Sequence, residues 1–397
     1  MKYFLIAGEP SGDRLGAALI AGLRTLDPEA RLVGVAGPAM QDAGMQSLFP
    51  MEELSVMGIA EVLPKYRQLK RRIAQTARAV LQEAPDVLIT IDSPDFCLRV
   101  ARLVRSQSPV RIVHYVAPTV WAWRPGRAAK MAPLVDQVLA LFPFEPPYMQ
   151  AAGMRCDFVG HPVVSEPRVS GDERQAMRVA LAVPKGAPLI AVLPGSRRGE
   201  VSRLMPVFAE AVAQLATRHP NVRIVLPAGH QVAQAVIEAS ADWPIKPTVL
   251  DPRGKEPDAA EARKRAALAA ADVALAASGT VSLELAAADT PMVIAYDMSW
   301  LSRRIMLPML RTDTVTLVNL VAESRTIPEF LADNCRPGPI AEALDDLLSD
   351  PQARAAQQGA MALTMERLGQ GDEDPGLRAA RAVLDGISAS KDAGAAG

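Results

Sequence analysis

The chain has 397 residues, and its 43 lysines and arginines nearly balance its 44 aspartates and glutamates. This length suits about two domains, and the near-zero net charge argues against nucleic-acid binding through bulk charge. Three cysteines without a CxxC pair and four scattered histidines argue against a metal site and fit a reducing compartment. No apolar run approaches the roughly 20 residues that span a bilayer, so we expect a soluble or peripheral protein in the cytoplasm. We also expect no metal and no cofactor.

The first predicted strand, Tyr3–Ala7, leads into the turn Gly8-Glu9-Pro10-Ser11-Gly12-Asp13 and then a helix. The spacing is not GxGxxG, so a dinucleotide fingerprint is poorly supported. Ser11 or Asp13 can cap the helix. Alternatively, Ser11, Gly12 and the helix N-terminus face a phosphate or sugar, with the Glu9 carboxylate nearby. The crowding of two glycines, a carboxylate and a hydroxyl into one strand-end turn favours the binding interpretation, with Ser11, Gly12 and Asp13 as the candidate contacts to a sugar.

A second strand, Arg31–Ala36, is followed by a basic amphipathic stretch from Met57 to Ile73. Its apolar positions recur at helical spacing and include Val62, Leu63, Tyr66 and Leu69. One interpretation is a helix that faces the core and has a solvated basic side. The other is an interfacial helix that lies on an anionic membrane.

The next predicted strand, Asp86–Ile91, ends in Asp92-Ser93-Pro94-Asp95-Phe96. Carboxylates at the carboxyl end of a strand are costly to bury without a purpose. Asp95 is explained as a helix cap. Asp92, at the strand tip, is the better candidate for a general base.

Two tryptophans and two arginines follow the strand Arg111–Val116. Aromatic faces stack on sugar rings and arginines bind phosphates. A packed loop is the alternative, but this density favours a loop that lines a ligand site through Trp121, Trp123 and Arg124. Further strands are predicted at Gln137–Leu141 and around Phe158, and the polar stretch from Ser165 to Arg178 is interpreted as a linker and a first helix.

The second half repeats the alternation of predicted strands and helices, and its strands also end in turns of small residues. The apolar run Pro188–Leu193 precedes Pro194-Gly195-Ser196-Arg197, and a strand from Asp272 precedes Ser278-Gly279-Thr280. Strand-to-helix turns of this kind hold phosphates on backbone N–H groups. The candidate diphosphate-binding residues are therefore Gly195, Ser196, Arg197, Ser278, Gly279 and Thr280.

Two further polar residues of the second half are candidates for contacts to a nucleotide. Glu284 lies one helical turn beyond Thr280 and is placed to accept both hydroxyls of a ribose, although a solvated helix carboxylate would look the same. Asn319 is either a contact to a base or sugar edge or a turn residue.

Two α/β halves with glycine turns at strand ends predict two doubly wound, Rossmann-like domains that face each other across a cleft, as in B-type glycosyltransferases. We expect an N-terminal domain over residues 1–164, which binds the acceptor and contacts the membrane. A nucleotide-sugar domain is expected over 165–345, and helices that return toward the N-terminal domain over 346–387. The small, polar residues 388–397 are predicted to be disordered.

Several of these stretches, in this order and at these separations, resemble the lipid-A-disaccharide synthase family over nearly the whole chain. In the first half they are Gly8–Asp13, Val35–Pro38, Met57–Leu63, Ile91–Phe96 and His114–Arg124. In the second half they are Leu193–Arg197, Ala277–Thr280 with Glu284, and Val318–Leu320.

The resemblance implies an inverting, metal-independent transferase that joins UDP-2,3-diacylglucosamine to 2,3-diacylglucosamine 1-phosphate (lipid X). The products would be a β-1,6-linked disaccharide 1-phosphate and UDP. It also implies that Asp92 is essential as the base on the acceptor hydroxyl. If Asp92 is not the base, Glu9 is the next candidate. Acylated substrates would explain the amphipathic stretch, which would bind the inner leaflet of the inner membrane.

Three other functions stay open at this point. One is another nucleotide-sugar enzyme, such as a UDP-N-acetylglucosamine 2-epimerase or a soluble glycosyltransferase. A second is a nucleotide-sugar-binding regulatory module without catalysis, and a third, weaker one is a dinucleotide oxidoreductase. Whether the protein forms a homodimer is also left open.

Overall fold

The computed structural model describes residues 1–54, 59–124, 126–300, 303–304, 309 and 312–395, without the side chains of residues 59–65 and 391–395. Contacts within the chain divide it into two units. The first unit is Met1–Ser165 with Gly371–Gly397, and the second is Glu166–Gln370. Each has its own parallel sheet and its own hydrophobic core.

The first unit is built on a parallel sheet. Its strands are β1 (Lys2–Ala7), β2 (Arg31–Val35), β3 (Gln46–Ser47), β4 (Val87–Ile91), β5 (Arg111–Tyr115), β6 (Gln137–Ala140) and β7 (Arg155–Phe158). The strand order is β3-β2-β1-β4-β5-β6-β7. The order reverses between β1 and β4, which is the topological switch point where doubly wound folds bind their ligands. Both central strands are apolar and buried, as expected for a sheet with helices on both faces.

Helices connect these strands. They are α1 (Pro10–Leu26), α2 (Pro38–Asp42), α3 (Ile59–Glu83), α4 (Pro94–Arg105), α5 (Gly126–Met131) and α6 (Pro146–Gln150). Four of them, α1, α2, α4 and α6, begin with proline. Proline suits the first helical position because its φ is already helical and its missing N–H would have no partner there.

The second unit repeats this architecture, with one strand fewer among its described residues. Its strands are β8 (Leu189–Leu193), β9 (Arg223–Pro227), β10 (Thr248–Leu250), β11 (Val273–Ala277), β12 (Met292–Tyr296) and β13 (Glu329–Leu331). The order β10-β9-β8-β11-β12-β13 places the switch point between β8 and β11. The predicted fold class, two Rossmann-like domains with parallel sheets, is confirmed.

The remaining helices follow in chain order. They are α7 (Gly171–Ala180), α8 (Arg198–Arg218), α9 (Ala233–Ser240), α10 (Pro257–Ala270), α11 (Val281–Ala287), α12 (Leu317–Ala322), α13 (Pro337–Ser349), α14 (Pro351–Arg367) and α15 (Pro375–Ala395). Ser170 caps α7 through a capping box with Glu173, in the stretch predicted to hold a linker and a first helix.

The C-terminal helices differ from the prediction in where they return. Only α15 packs on the first unit, against α1, whereas α13 and α14 stay with the second unit. The expected boundary near residue 346 is therefore wrong, because α14 buries its apolar side against α11 and α12. At the α1–α15 crossing the backbones touch: a Cβ on Gly22 would lie 2.5 Å from the Gly376 carbonyl oxygen.

The predicted disordered tail is also corrected. Helix α15 continues through residue 388 to Ala395, and Ile387 is buried. Ser390 donates a hydrogen bond to the Gly386 carbonyl and accepts one from Arg111. Small residues and lysine are compatible with a helix. The helix that packing stabilises upstream therefore continues through them.

Candidate active site

The two carboxylate-bearing turns of the first unit meet at its switch point. Ala7 of β1 pairs with Ile91 of β4, so Gly8 and Asp92 follow from neighbouring strand ends. A Cβ on Gly8 would lie 2.6 Å from Oγ of Ser93, and one on Gly12 would lie 3.2 Å from the Ile91 carbonyl oxygen. Both glycines are needed because the turn after β1 lies directly against the turn after β4.

The turn that contains Asp92 is strained. Asp92 and Ser93 both adopt left-handed backbone conformations, with φ of 51° and 41°, and Val116 at the end of the adjacent β5 has φ 83°. The Asp92 N–H donates to the Tyr115 carbonyl oxygen at 3.0 Å, which ties the two strand ends together. A positive φ in a β-branched residue is rare, and such strain concentrates at functional sites.

Asp92 and Glu9 follow the neighbouring strands β4 and β1, and the charges of both carboxylates act on the buried thiol of Cys97. Burial raises the pKa of Cys97, and the charges of Asp92 and then Glu9 raise it further. Cys97 lies in the first turn of α4, where its N–H donates to the Ser93 carbonyl oxygen. The structure thus brings together both predicted candidates for the base.

The other predicted residues of the first turn divide by role. Ser11 is exposed at the start of α1, and Gly12 is buried beneath it. Asp13 is only 3% exposed, and its two carboxylate oxygens accept from the N–H groups of Gly37, Ala39 and Met40 at 2.8–3.1 Å. Asp13 therefore caps α2, and the prediction that it contacts a sugar is corrected.

The aromatic loop after β5 is partly exposed, as a ligand-lining loop would be. Arg124 lies 4.3 Å over the Trp123 ring, and Trp123 Nε1 donates to Thr119 Oγ1 at 3.1 Å. Trp121 packs edge-on against Phe144, with ring centroids 5.1 Å apart. Its Nε1 donates to Glu145, 3.4 Å away, a buried carboxylate that the sequence analysis did not single out.

In the second unit, the turn after β8 is occupied by one of the protein's own carboxylates. Oε2 of Glu200 accepts from the N–H groups of Ser196 and Arg197 at 3.1 and 3.2 Å. Oε1 of Glu200 pairs with the Arg197 guanidinium at 3.3 Å. The N–H groups of Ser196 and Arg197 are thus already engaged by Glu200, whereas the Arg197 side chain is 66% exposed and its guanidinium can meet an anion.

The turn after β11, on the other side of the switch point, is open. Gly279 has φ 156°, and the place of its Cβ has no neighbour within 4 Å. Within the described ranges, the N–H groups of Gly279 and Thr280 donate no hydrogen bond. Ser278 Oγ donates to the Val315 carbonyl oxygen at 3.4 Å, which fixes one end of the turn. This turn has the free donors that an anion requires.

Glu284 lies on α11 just beyond that turn and is half-buried. Its Oε2 is 2.5 Å from Nζ of Lys264 on α10, a partner that sequence analysis missed. It lines a cavity of about 440 Å³ together with Glu166, Arg168 and Arg265. Burial and then the charge of Glu284 raise the pKa of Glu166. Glu284, which was predicted to accept the ribose hydroxyls, is thus partly accessible and forms an ion pair with Lys264.

Asn319 has a structural role. It is completely buried, its Nδ2 donates to the Ile327 carbonyl at 2.9 Å, and its Oδ1 accepts from the Ile327 N–H at 3.0 Å. Nδ2 also donates to Thr314 Oγ1. Because protein groups engage both ends of this buried amide, the prediction that Asn319 contacts a base or sugar is corrected.

Helix α3 has two parts. From Ile73 onward it packs on α4 and the core, as the core-facing interpretation expects. Before that point Tyr66 is 50% exposed, and three exposed basic residues follow it, namely Arg67, Lys70 and Arg71. Leu69 is half-buried, and the side chains of Val62 and Leu63 lie outside the described residues. Among the helices described, none is long and apolar enough to cross a bilayer.

Comparison with known proteins decides the family. The family described as Lipid-A-disaccharide synthetase matches residues 3–376. Lipid-A-disaccharide synthase from Ruegeria pomeroyi is 61% identical, covering 97% of this chain and 95% of that protein. The protein of the same name from Rhodospirillum centenum is 47% identical, covering 98% and 95%. The chain belongs to the lipid-A-disaccharide synthase family.

Solved structures show the same fold at low identity. UDP-GlcNAc 2-epimerase from Neisseria meningitidis, bound to UDP-GlcNAc, superposes with a TM-score of 0.64 at 12% identity, covering 97% of this chain and 99% of that one. Anabaena HepE in complex with UDP-glucose has a TM-score of 0.60 at 14% identity, covering 98% and 99%. The family supports a glycosyltransferase of lipid A biosynthesis, and the likeness to the epimerases is one of fold.

Proposed function

We propose that the protein joins UDP-2,3-diacylglucosamine to 2,3-diacylglucosamine 1-phosphate with inversion, giving a β-1,6-linked disaccharide 1-phosphate and UDP. The observation that carries this proposal is the pair of carboxylates, Asp92 and Glu9, at the switch point of a chain of this family. A strained strand tip with a carboxylate suits proton abstraction from an acceptor hydroxyl.

In the proposed reaction Asp92 accepts the proton of the acceptor 6-hydroxyl as that oxygen attacks the anomeric carbon. The bond from this carbon to the UDP oxygen breaks on the opposite face, and the electron pair leaves with UDP. The transition state resembles an oxocarbenium ion, and negative charge grows on the diphosphate. Glu9 is the alternative base. Ser11, Gly12 and the loop with Trp121, Trp123 and Arg124 would contact the acceptor sugar and its phosphate.

For the donor, we assign the diphosphate to the Arg197 guanidinium and to the N–H groups of Gly279 and Thr280. These groups are exposed, whereas Gly195 and Ser196 shape the neighbouring turn through Glu200. Glu284 would accept the two ribose hydroxyls, and Lys264 would hold its carboxylate in place. Together these groups would stabilise the leaving UDP without a metal ion.

The lipid substrates also give a role to the exposed first part of α3. Tyr66 and Leu69, with Val62 and Leu63, would enter the headgroup region of the inner leaflet, while Arg67, Lys70 and Arg71 would contact anionic lipids. Such a contact would place the protein at the cytoplasmic face of the inner membrane. The exposure of Tyr66 supports this proposal.

The direct test is transfer of radiolabelled 2,3-diacylglucosamine 1-phosphate with UDP-2,3-diacylglucosamine in the presence of EDTA. We expect disaccharide 1-phosphate and UDP in equal amounts, with a β linkage by NMR. Release of UDP without disaccharide, or a requirement for added metal, would contradict the proposal. Incubation with UDP-N-acetylglucosamine alone serves as the control, because an epimerase would convert it and this protein should not.

A further inference from the structure

The first unit contains a buried carboxylate that the proposed chemistry does not use. Glu145 follows β6 and is 2% exposed. Its Oε2 accepts from the N–H groups of Leu141 and Phe142 at 3.1 and 3.0 Å, and its Oε1 accepts from Trp121 Nε1 at 3.4 Å. No described lysine, arginine or histidine forms an ion pair with it. Burying a carboxylate without a cation costs free energy, so we expect Glu145 to have a specific role.

Glu145 supports the side of the sheet where the acceptor loop lies. Its partner Trp121 packs edge-on against Phe144, Phe144 stacks on Phe142 at 5.4 Å, and Phe142 contacts His161 at 5.5 Å. These aromatic rings lie after β5, β6 and β7, and β5 is the neighbour of β4, the strand that Asp92 follows. The indole N–H of Trp121 is thus fixed from the buried side.

We propose that Glu145 is a positioning residue whose ionised carboxylate orients Trp121 toward the acceptor sugar, and that proton uptake by Glu145 releases the indole. The inference rests on the proposed function, in which Trp121 contacts the acceptor. The two backbone donors hold Oε2 as an acceptor, so the proton goes to Oε1. A hydroxyl at Oε1 accepts the indole hydrogen bond poorly.

The surroundings of Glu145 place the protonation of its carboxylate near neutral pH. Burial raises the pKa of Glu145 to about 7, although its hydrogen bonds lower it. From β7, burial raises the pKa of Cys156 to about 12, and Asp157 is held by Arg155 and Gln137. After β7, burial lowers the pKa of His161 to about 4, and its Nδ1 accepts from the Val163 N–H. In the aromatic loop, Arg124 lies over Trp123.

The test compares Glu145→Gln, Trp121→Phe, the double variant and a matched control. Glutamine can still accept from the two backbone N–H groups, but its NH₂ then faces the indole N–H, so the contact with Trp121 is lost. The control is Asp136→Asn. Asp136 also accepts from a backbone N–H, that of Ile112, but at the amino end of the sheet.

At pH 8 we expect Glu145→Gln to raise the KM for 2,3-diacylglucosamine 1-phosphate about tenfold with the donor KM unchanged. The wild-type acceptor KM should rise toward the same value between pH 8 and 6, whereas that of Glu145→Gln should change only by the amount that titration of the acceptor phosphate gives in both proteins. The double variant should be no worse than Trp121→Phe. An unchanged acceptor KM at pH 8, or the same effect from Asp136→Asn, would overturn the inference.

A spectroscopic arm separates this inference from the proposed reaction. The indole ¹⁵N–¹H signal of Trp121, assigned by its absence in Trp121→Phe, should titrate near pH 7 in the wild type and stay fixed in Glu145→Gln. A signal that does not titrate in the wild type overturns the inference whatever the enzyme does. Absence of transfer by the wild type would refute the proposed function while this titration is still measured.

Discussion

Gly195 and Glu200 form a single structural unit at the start of α8. A Cβ on Gly195 would lie 2.5 Å from Oε2 of Glu200, the oxygen that accepts the N–H groups of Ser196 and Arg197. Gly195 also has φ 108°, in the region that favours glycine. Glycine is therefore required at this position for two reasons: its φ is positive, and Glu200 leaves no space for a Cβ.

Gly195→Ala should lower the free energy of unfolding by about 3 kcal/mol, since backbone strain and collision with Glu200 add. UDP affinity should fall with it, because Arg197 is displaced. The matched control is Gly186→Ala, which has φ 78° but no atom within 4 Å of the new Cβ, and should cost about 1 kcal/mol. Urea denaturation measures both values, and equal losses would show that Glu200 does not matter.

Asp92→Asn should reduce kcat by about 10²–10⁴-fold, because an amide cannot take the proton of the acceptor hydroxyl. UDP binding, measured by calorimetry, should be unchanged. Asp95→Asn is the control, since Asp95 is an exposed carboxylate three residues further on. If Asp92→Asn keeps its turnover, Glu9 becomes the base to test.

Glu284→Ala should raise the donor KM at least tenfold, since its carboxylate is proposed to bind the ribose hydroxyls. Measurement of the donor KM by initial rates tests this.

Asn319→Ala should instead affect stability and leave the donor KM unchanged. It leaves the Ile327 backbone groups without partners in a buried site and should lower the free energy of unfolding by about 2–4 kcal/mol. A change in the donor KM of folded Asn319→Ala protein, with stability preserved, would restore the original assignment.

The double variant Tyr66→Ser, Leu69→Ser should weaken binding to phosphatidylglycerol-containing vesicles at least tenfold, because two apolar side chains no longer enter the headgroup region. Sedimentation with vesicles measures this. Leu103→Ser serves as the control, because Leu103 is also an exposed apolar residue of the first unit, at 39%. Unchanged sedimentation of the double variant would refute the proposed contact, and unfolding would show that this face belongs to the core.

His161 should make the protein less stable in acid. Burial lowers its pKa from 6.5 to about 4, so its contribution to stability is complete above pH 6.5 and is lost as the pH falls toward 4. Asparagine at this position retains an oxygen for the Val163 N–H but does not titrate. Between pH 7 and 4 the wild type should lose about 3 kcal/mol more than His161→Asn. Parallel stability curves for the two proteins would contradict this.

The strands and the turns that follow them were predictable, because buried parallel strands appear as apolar runs that stop at glycine or aspartate turns. The parts of the site that depend on distant partners were not. Asp13 caps a helix that begins 25 residues later, and Asn319 bonds a backbone eight residues away. A sequence shows that such side chains are polar but not which donors they meet.

Glu145 and Lys264 were overlooked for the same reason. Glu145 precedes α6 and resembles an ordinary helix-capping residue, while its partner Trp121 lies 24 residues earlier. The signal available was a carboxylate in a stretch that is otherwise aromatic, Phe142-Pro143-Phe144. Lys264 lies in an alanine-rich helix whose charged residues all look solvated until α11 is placed beside it.

The packing of α15 on α1 determines when the first unit can complete its folding during synthesis. Strands β1 to β7 are all translated by residue 158, yet the helix that covers α1 begins only at Pro375. At about 5–20 residues per second, the apolar face of α1 waits roughly 10–40 seconds for its cover while the whole second unit is made. During that interval the nascent first unit exposes a surface that a chaperone would bind. Chains stalled before Pro375 should therefore have a protease-sensitive first unit, and released full-length chains a resistant one.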